Sequence, residues 1–387
     1  MQHYWLTLIT FFPLLGALVL LLFPREAAEK FRRVALVVAL AEFGLSLPLF
    51  FWFDANRSGM QFLERYVWIS NPPIHYQVGV DGLSLFLILL TTFLTPLAVL
   101  ASWPITHRVK EFFVLLLVLE AGMLGVFVAL DLFLFYVFWE VMLIPMYLLI
   151  GIWGHQRRLY AAIKFILYTL AGSLLMLVGI IWLYIQTGTF DLLALYSLRY
   201  EMPGLLSLGA ERWLFLAFFL AFAIKIPLFP NATREFAPAI SALAIIGILY
   251  GALVALVQPD MKKLIAFSSI AHMGFIVLGI MAMNVISVQG AIYQMLSHGI
   301  STAMLFLLAG MLYDRRHTHL ISEFGGLATP MPVLSSFLLL ACLSSLGLPL
   351  LNGFVGEFLI LLGVFEANVV HAALATFGVV LAAVYLL

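Results

Sequence analysis

The sequence has one cysteine, Cys342, set alone in an apolar run, so disulfides and paired-thiol chemistry are excluded. Charged residues fill only 10% of 387 positions, and 19 Lys and Arg cancel 19 Asp and Glu. Without a basic excess the chain carries no electrostatic footprint for nucleic acid. Cys and His never fall at metal-ligand spacing, and no glycine-rich phosphate loop follows a strand. No nucleotide, flavin, iron–sulfur cluster or metal is therefore expected in this chain. The N-terminus lacks the cationic region and cleavage site of a secretory signal, so residues 5–23 read as a first span.

What the sequence has in excess is apolar side chain, 64% of the total. A soluble fold of this length could not bury so much. Apolar runs recur from end to end and predict an all-α polytopic membrane protein. Spans are expected near 5–23, 34–53, 82–102, 112–130, 132–151, 160–186, 213–229, 236–258, 264–283, 287–312, 331–363 and 370–387. The run 331–363 holds Gly347 and Pro349 and predicts an interrupted helix. Residues 54–80 and 187–212 read as long loops, the first turning at Asn71-Pro72-Pro73. Asp81 is expected to cap the third span.

Lys and Arg in the loops orient the helices. Arg25, Lys30, Arg32 and Arg33 follow the first span, Arg108 and Lys110 the third, Arg157 and Arg158 the fifth. Odd loops are thus cytoplasmic and the N-terminus is outside. Lys262, Lys263, Arg315 and Arg316 then follow the eighth and tenth segments, so the parity slips by one between Arg158 and Lys262. Segment 213–229 either re-enters, or a crossing is absent after it. A short echo of residues 162–173 in residues 291–302 hints at two related halves, each with a proline-broken helix late in it.

Ionisable residues inside spans are costly, about 3 kcal/mol each on an insertion scale, and mark ion or proton paths by default. Lys225 lies in Ala-Ile-Lys-Ile-Pro-Leu-Phe-Pro, where Pro227 and Pro230 free backbone groups that lipid cannot satisfy. Glu140 stands mid-span with no charge within a turn, and Lys225 or Lys164 is its expected partner. A carboxylate–lysine pair can hold and release a proton as the two separate; a static ion pair is the plainer alternative. His272 and His298 fall in successive late spans, and Ser297, Ser301 and Thr302 surround His298 with hydroxyls. They suit a proton relay, or are satisfied core histidines. Glu357 follows the second break. Glu120 has no evident partner, and Glu42 reads as lipid-adjacent and protonated, or covered by a partner subunit.

At these residues the chain closely resembles the subunit M, or chain 4, family of NADH:quinone oxidoreductase (respiratory complex I). The resemblance rests on residues 78–84, 138–145, 221–230, 258–274, 295–302 and 351–359, among them Phe-Trp-Glu-Val-Met-Leu-Ile-Pro and Leu-Asn-Gly-Phe-Val-Gly-Glu-Phe-Leu. It implies two antiporter-like inverted repeats, each with a broken helix. It also implies Glu140 and Lys225 as the essential pair, Lys164, His272 and His298 as relay members, and Glu357 as the terminal site. An acid there is typical of this family, whereas sister subunits and cation/proton antiporters place a lysine. NAD, FMN, iron–sulfur clusters and quinone are expected in partner subunits. The expected partners are the other membrane subunits, especially the sister antiporter-like ones, with lipid and protons. The expected place is the bacterial inner membrane.

The resemblance also marks two departures. After Pro230 the family continues with the second half of the broken helix and an eighth helix carrying a central lysine. Here Pro230 runs directly into Asn231-Ala232-Thr233. The family also extends beyond the thirteenth helix, whereas this sequence stops at Leu387. The implied parts are three N-terminal helices over 1–110, an incomplete first repeat over 111–230 and a second repeat over 231–387, with 230–236 a strained linker. An Mrp-type Na⁺/H⁺ antiporter or membrane-bound hydrogenase subunit, or a non-transporting truncated product, are the alternatives.

Overall fold

The computed structural model describes residues 4–24, 27–154, 157–201, 206–222 and 230–386. The apolar runs form helices α1 (Trp5–Leu22), α2 (Ala28–Trp52), α3 (Gly82–Ala101), α4 (Val109–Val128), α5 (Leu132–Trp153) and α6 (Arg158–Thr187). After these come α7 (Leu192–Glu201), α8 (Leu208–Phe222), α9 (Pro230–Leu256), α10 (Met261–Met281) and α11 (Val285–Arg316). The last three are α12 (Pro332–Leu346), α13 (Asn352–Ala367) and α14 (Val369–Leu386). Among the described residues, ten helices are long and apolar enough to cross a membrane. The chain divides into two compact units, Met1–Ala232 and Thr233–Leu387.

In the first unit, the expected loop over 54–80 is instead an antiparallel hairpin, β1 (Gln61–Ile69) and β2 (Ile74–Val80), with the expected turn at its tip. Polar residues misled the reading, because this hairpin grips helix ends through them. Glu64 accepts the backbone amides of Leu6 and Thr7 at 2.8 and 3.3 Å and the Thr7 hydroxyl, so a strand residue caps α1. Asp131 caps α5 through the amides of Phe133 and Leu134, and its other oxygen accepts the His75 amide of β2 at 3.0 Å. Burial pushes the Asp131 carboxyl above its ordinary range, and those three amides pull it back. Asp191 caps α7 in the same manner and holds Gln77 at 3.1 Å and Arg65 at 3.3 Å.

The opposite end of this unit gathers the cations of the loops between helices. Lys110 donates to the carbonyls of Leu21 and Phe23, both at 2.7 Å, Arg32 to that of Ile105 at 2.8 Å, and Trp153 to that of His107 at 2.8 Å. The loops that the charge rule places in the cytoplasm therefore share one end. Between the ends, Leu20, Phe31, Ala35, Val99, Phe113 and Leu117 form a buried apolar core.

In the second unit, α10 and α11 also bring Lys262, Lys263, Arg315 and Arg316 to one end. There the Met261 amide donates to the His319 carbonyl and that of Ile321 to Pro259, both at 2.9 Å. Glycines set the helix spacing: a Cβ on Gly290 would lie 2.6 Å from the Ile360 nitrogen, and one on Gly279 2.9 Å from the Ile360 side chain.

Two further points differ from expectation. The loop 187–212 contains α7, held by the Asp191 cap. Residues 230–236 are the first turns of α9 and not a linker, because proline at a helix start has its φ already set and its missing N–H is no loss there. The break at Pro227 lies outside the described residues.

Candidate functional site

Asp81 caps α3 as expected, accepting the Ser84 amide at 2.7 Å. Glu140 is half-buried on α5 beside Tyr136, one turn earlier, and Tyr136 also meets Ser173 of α6. Its Oε1 is buried without a hydrogen-bond partner among the described residues. Lys225, its expected partner, lies outside the described residues. Lys164 is exposed on α6, its ammonium 5.8 Å from the centroid of the Tyr160 ring, and it makes no ion pair with Glu140.

The second unit brings its residues together. The interrupted helix is present: α12 ends at Leu346, Gly347 takes φ +78°, and α13 restarts at Asn352. The backbone turns so tightly that a Cβ on Gly347 would meet Glu357 Oε2 at 2.8 Å. That turn sets Glu357, one helical turn into α13, against α10 and α11. Its Oε1 lies 3.1 Å from His272 Nδ1 and accepts from Gln294 Nε2 at 3.2 Å. His272 Nε2 lies 3.1 Å from the Ser345 hydroxyl on α12. All four side chains are buried.

This arrangement can move a proton without moving heavy atoms. With Glu357 protonated, its O–H donates to Nδ1 and the Nε2–H donates to Ser345. With the proton on the ring, an imidazolium donates at both nitrogens, and the carboxylate keeps the Gln294 amide.

The ring centroid of His298 lies 5.2 Å from that of His272. Thr302 lies 3.1 Å from His298 Nδ1. A separate hydroxyl chain joins Ser301 to Ser344 at 2.7 Å and Ser344 to Asn352, whose amide reaches the Ser297 carbonyl at 3.3 Å. Sequence reading named Ser297, Ser301 and Thr302 but missed Gln294, Ser344, Ser345 and Asn352. An available signal was polarity within otherwise apolar helices.

Glu42 is placed differently from the lipid-adjacent position that was one expectation for it. Glu42 does not face lipid: it is fully buried inside the unit, and so is Glu120.

Comparison with known proteins bears on the same residues. A family described as NADH:quinone oxidoreductase/Mrp antiporter, TM, matches residues 129–233 and 227–382. One described as NADH-ubiquinone oxidoreductase chain 4, amino terminus, matches 58–126. NADH-quinone oxidoreductase subunit M of Rhodobacter capsulatus is 43% identical over 434 aligned positions, covering 99% of this chain and 84% of the relative. That of Rickettsia prowazekii is 40% identical, covering 97% and 85%. Respiratory complex I from Thermus thermophilus contains a chain that superposes with TM-score 0.88 at 31% identity, covering 98% of this chain and 87% of that one. A chain of the Mrp complex from Dietzia shares the fold, TM-score 0.84, at 21% identity, covering 98% and 46%. The 434 aligned positions exceed this chain's 387 residues, so the Rhodobacter relative holds residues with no counterpart inside it. The two stretches matched by the first family meet at 227–233, where the sequence runs from Pro230 straight into Asn231. With relatives at these identities over nearly its whole length, the chain belongs to the subunit M/chain 4 family of NADH:quinone oxidoreductase membrane subunits.

Proposed function

We infer that this chain is an antiporter-like, proton-translocating membrane subunit of NADH:quinone oxidoreductase, set among other membrane subunits of that complex in a bacterial inner membrane. Quinone reduction in partner subunits supplies the driving force, and NAD, FMN, iron–sulfur clusters and quinone belong to those partners. The observation that carries the reading is the buried Gln294–Glu357–His272–Ser345 chain, in which Glu357, held by the Gln294 amide, can take up a proton and His272 can receive it and face Ser345 with its other nitrogen. Glu140 is the corresponding acid of the first unit, with Lys225 as its cation and Lys164 and His298 as further relay members. An acid, rather than a lysine, at 357 favours this reading over a Na⁺/H⁺ antiporter.

The test is proton pumping by the assembled complex in sealed vesicles, measured beside NADH:quinone turnover. Glu357→Gln keeps the side chain's shape and removes its proton. It is expected to cut pumping about tenfold or more with assembly intact, and undiminished pumping would refute the assignment. Sodium-dependent transport would favour the antiporter alternative. A second reading, a non-transporting product, is favoured by the relative's residues that have no counterpart here; wild-type complex that turns over without pumping would establish it.

A further inference from the structure

Helices α2 and α4 carry none of the six relay residues, yet each holds one carboxyl at zero exposure, Glu42 and Glu120. The two are electrostatic neighbours. All four carboxyl oxygens lie buried without a hydrogen-bond partner among the described residues. Thr95 of α3 lies beside Glu120 but gives its proton to the Thr91 carbonyl at 3.0 Å. Ser46, one turn beyond Glu42, bonds Thr92 of α3 at 2.8 Å. Pro96 inside α3 cannot donate to the Thr92 carbonyl, so that backbone oxygen also lacks its helical donor. The site is thus rich in acceptors and short of donors.

Among the described residues of this bundle, no cation answers this excess. Helices α1 and α3 contain no charged residue. The charges of α2 and α4 other than these two acids are Glu29, Lys30, Arg32 and Arg33 in the first turns of α2 and Lys110 and Glu111 in the first turn of α4. Of these, Arg32, Arg33 and Lys110 are bonded at the cationic end of the unit. α5, packed on α4, carries Glu140, Tyr136 and Tyr147, and β2 carries His75 and Tyr76 at the hairpin end. Two neighbouring buried carboxylates without a counter-charge repel each other, whereas an added proton removes one charge and supplies a donor where acceptors are in excess.

We propose that Glu42 and Glu120 form a proton-binding carboxyl pair inside the α1–α4 bundle, a protonation site distinct from the Glu140 and Glu357 sites. The step is a proton transfer only: a proton from water ends on one carboxyl, which donates it to the other, and no electrons move.

Infrared spectra of the assembled complex in liposomes test this at neutral pH, comparing wild type with Glu42→Gln, Glu120→Gln and the double variant. The expected result is an undissociated-carboxyl band that shifts in D₂O during turnover and loses intensity in each variant. A band unchanged in both single variants would overturn the proposal, because both groups would then be ionised. A band abolished by sodium ions in place of protons would also overturn it, identifying a cation site. So would a band that never exchanges under turnover, which marks a static buried acid. Glutamine is nearly isosteric, and NADH:quinone turnover measured in parallel shows that the variants assemble. Failure of wild-type pumping would count against the proposed function and leave this test standing, since the band reports the pair alone.

Discussion

His272 shows how one residue draws its contacts from three helices. Its two nitrogens meet Glu357 of α13 and Ser345 of α12, and its ring faces His298 of α11. Ser345→Ala removes one hydrogen bond, worth about 1 kcal/mol, so the protein should fold while the pH profile of pumping moves; an unmoved profile would remove Ser345 from the path. Gln294 holds the carboxyl by one amide hydrogen, and Gln294→Leu should weaken pumping with turnover little changed. In the first unit, Glu140→Ala is expected to abolish pumping with assembly preserved. Glu140→Asp should lose less, because it keeps the charge and shortens only the reach. Normal pumping by an assembled Glu140→Ala complex would remove Glu140 from the path.

At the scale of elements, the interrupted helix and the hairpin do the positioning. Gly347 sits in the left-handed region, where a side chain costs about 1–2 kcal/mol, and its Cβ would also press on Glu357. Gly347→Ala should therefore lower thermal stability and pumping together, whereas Gly310→Ala, in open space on α11, should do neither. The hairpin works through caps. Asp131→Ala removes an N-cap, worth about 1 kcal/mol, together with the anchor of the His75 amide, so both α5 and β2 loosen. Faster hydrogen exchange should appear in residues 74–80 as well as at the start of α5; exchange confined to α5 would contradict the coupling.

At the scale of the whole chain, each unit gathers its cationic loops at one end, and the charge rule places both ends in the cytoplasm. Cys342 is the single cysteine, so Cys342→Ser provides a clean background for labelling. In it, Lys30→Cys and Lys262→Cys should both react with an impermeant thiol reagent from the cytoplasmic face. Labelling of Lys262→Cys from the outer face alone would refute this topology and place two cationic loops outside.

The sequence by itself determined the membrane class, ten of the twelve expected spans, the break near Gly347, the Asp81 cap and the family. These are local properties: a run of apolar residues needs only its own length to demand lipid, and a cap or a glycine turn acts within a few residues of itself. Only the tertiary structure decided that Glu64 caps α1, that Glu357 rests on His272 and Gln294, and that Glu42, readable as lipid-facing, lies inside beside Glu120. Such contacts depend on how each helix is rotated and how closely it approaches its neighbour. In this chain that approach is set by small residues such as Gly290 and Gly356, whose missing side chains leave room for Leu359 and Gln294. The residues that meet there lie far apart in sequence, and nothing in a single helix's hydropathy records which face it turns inward.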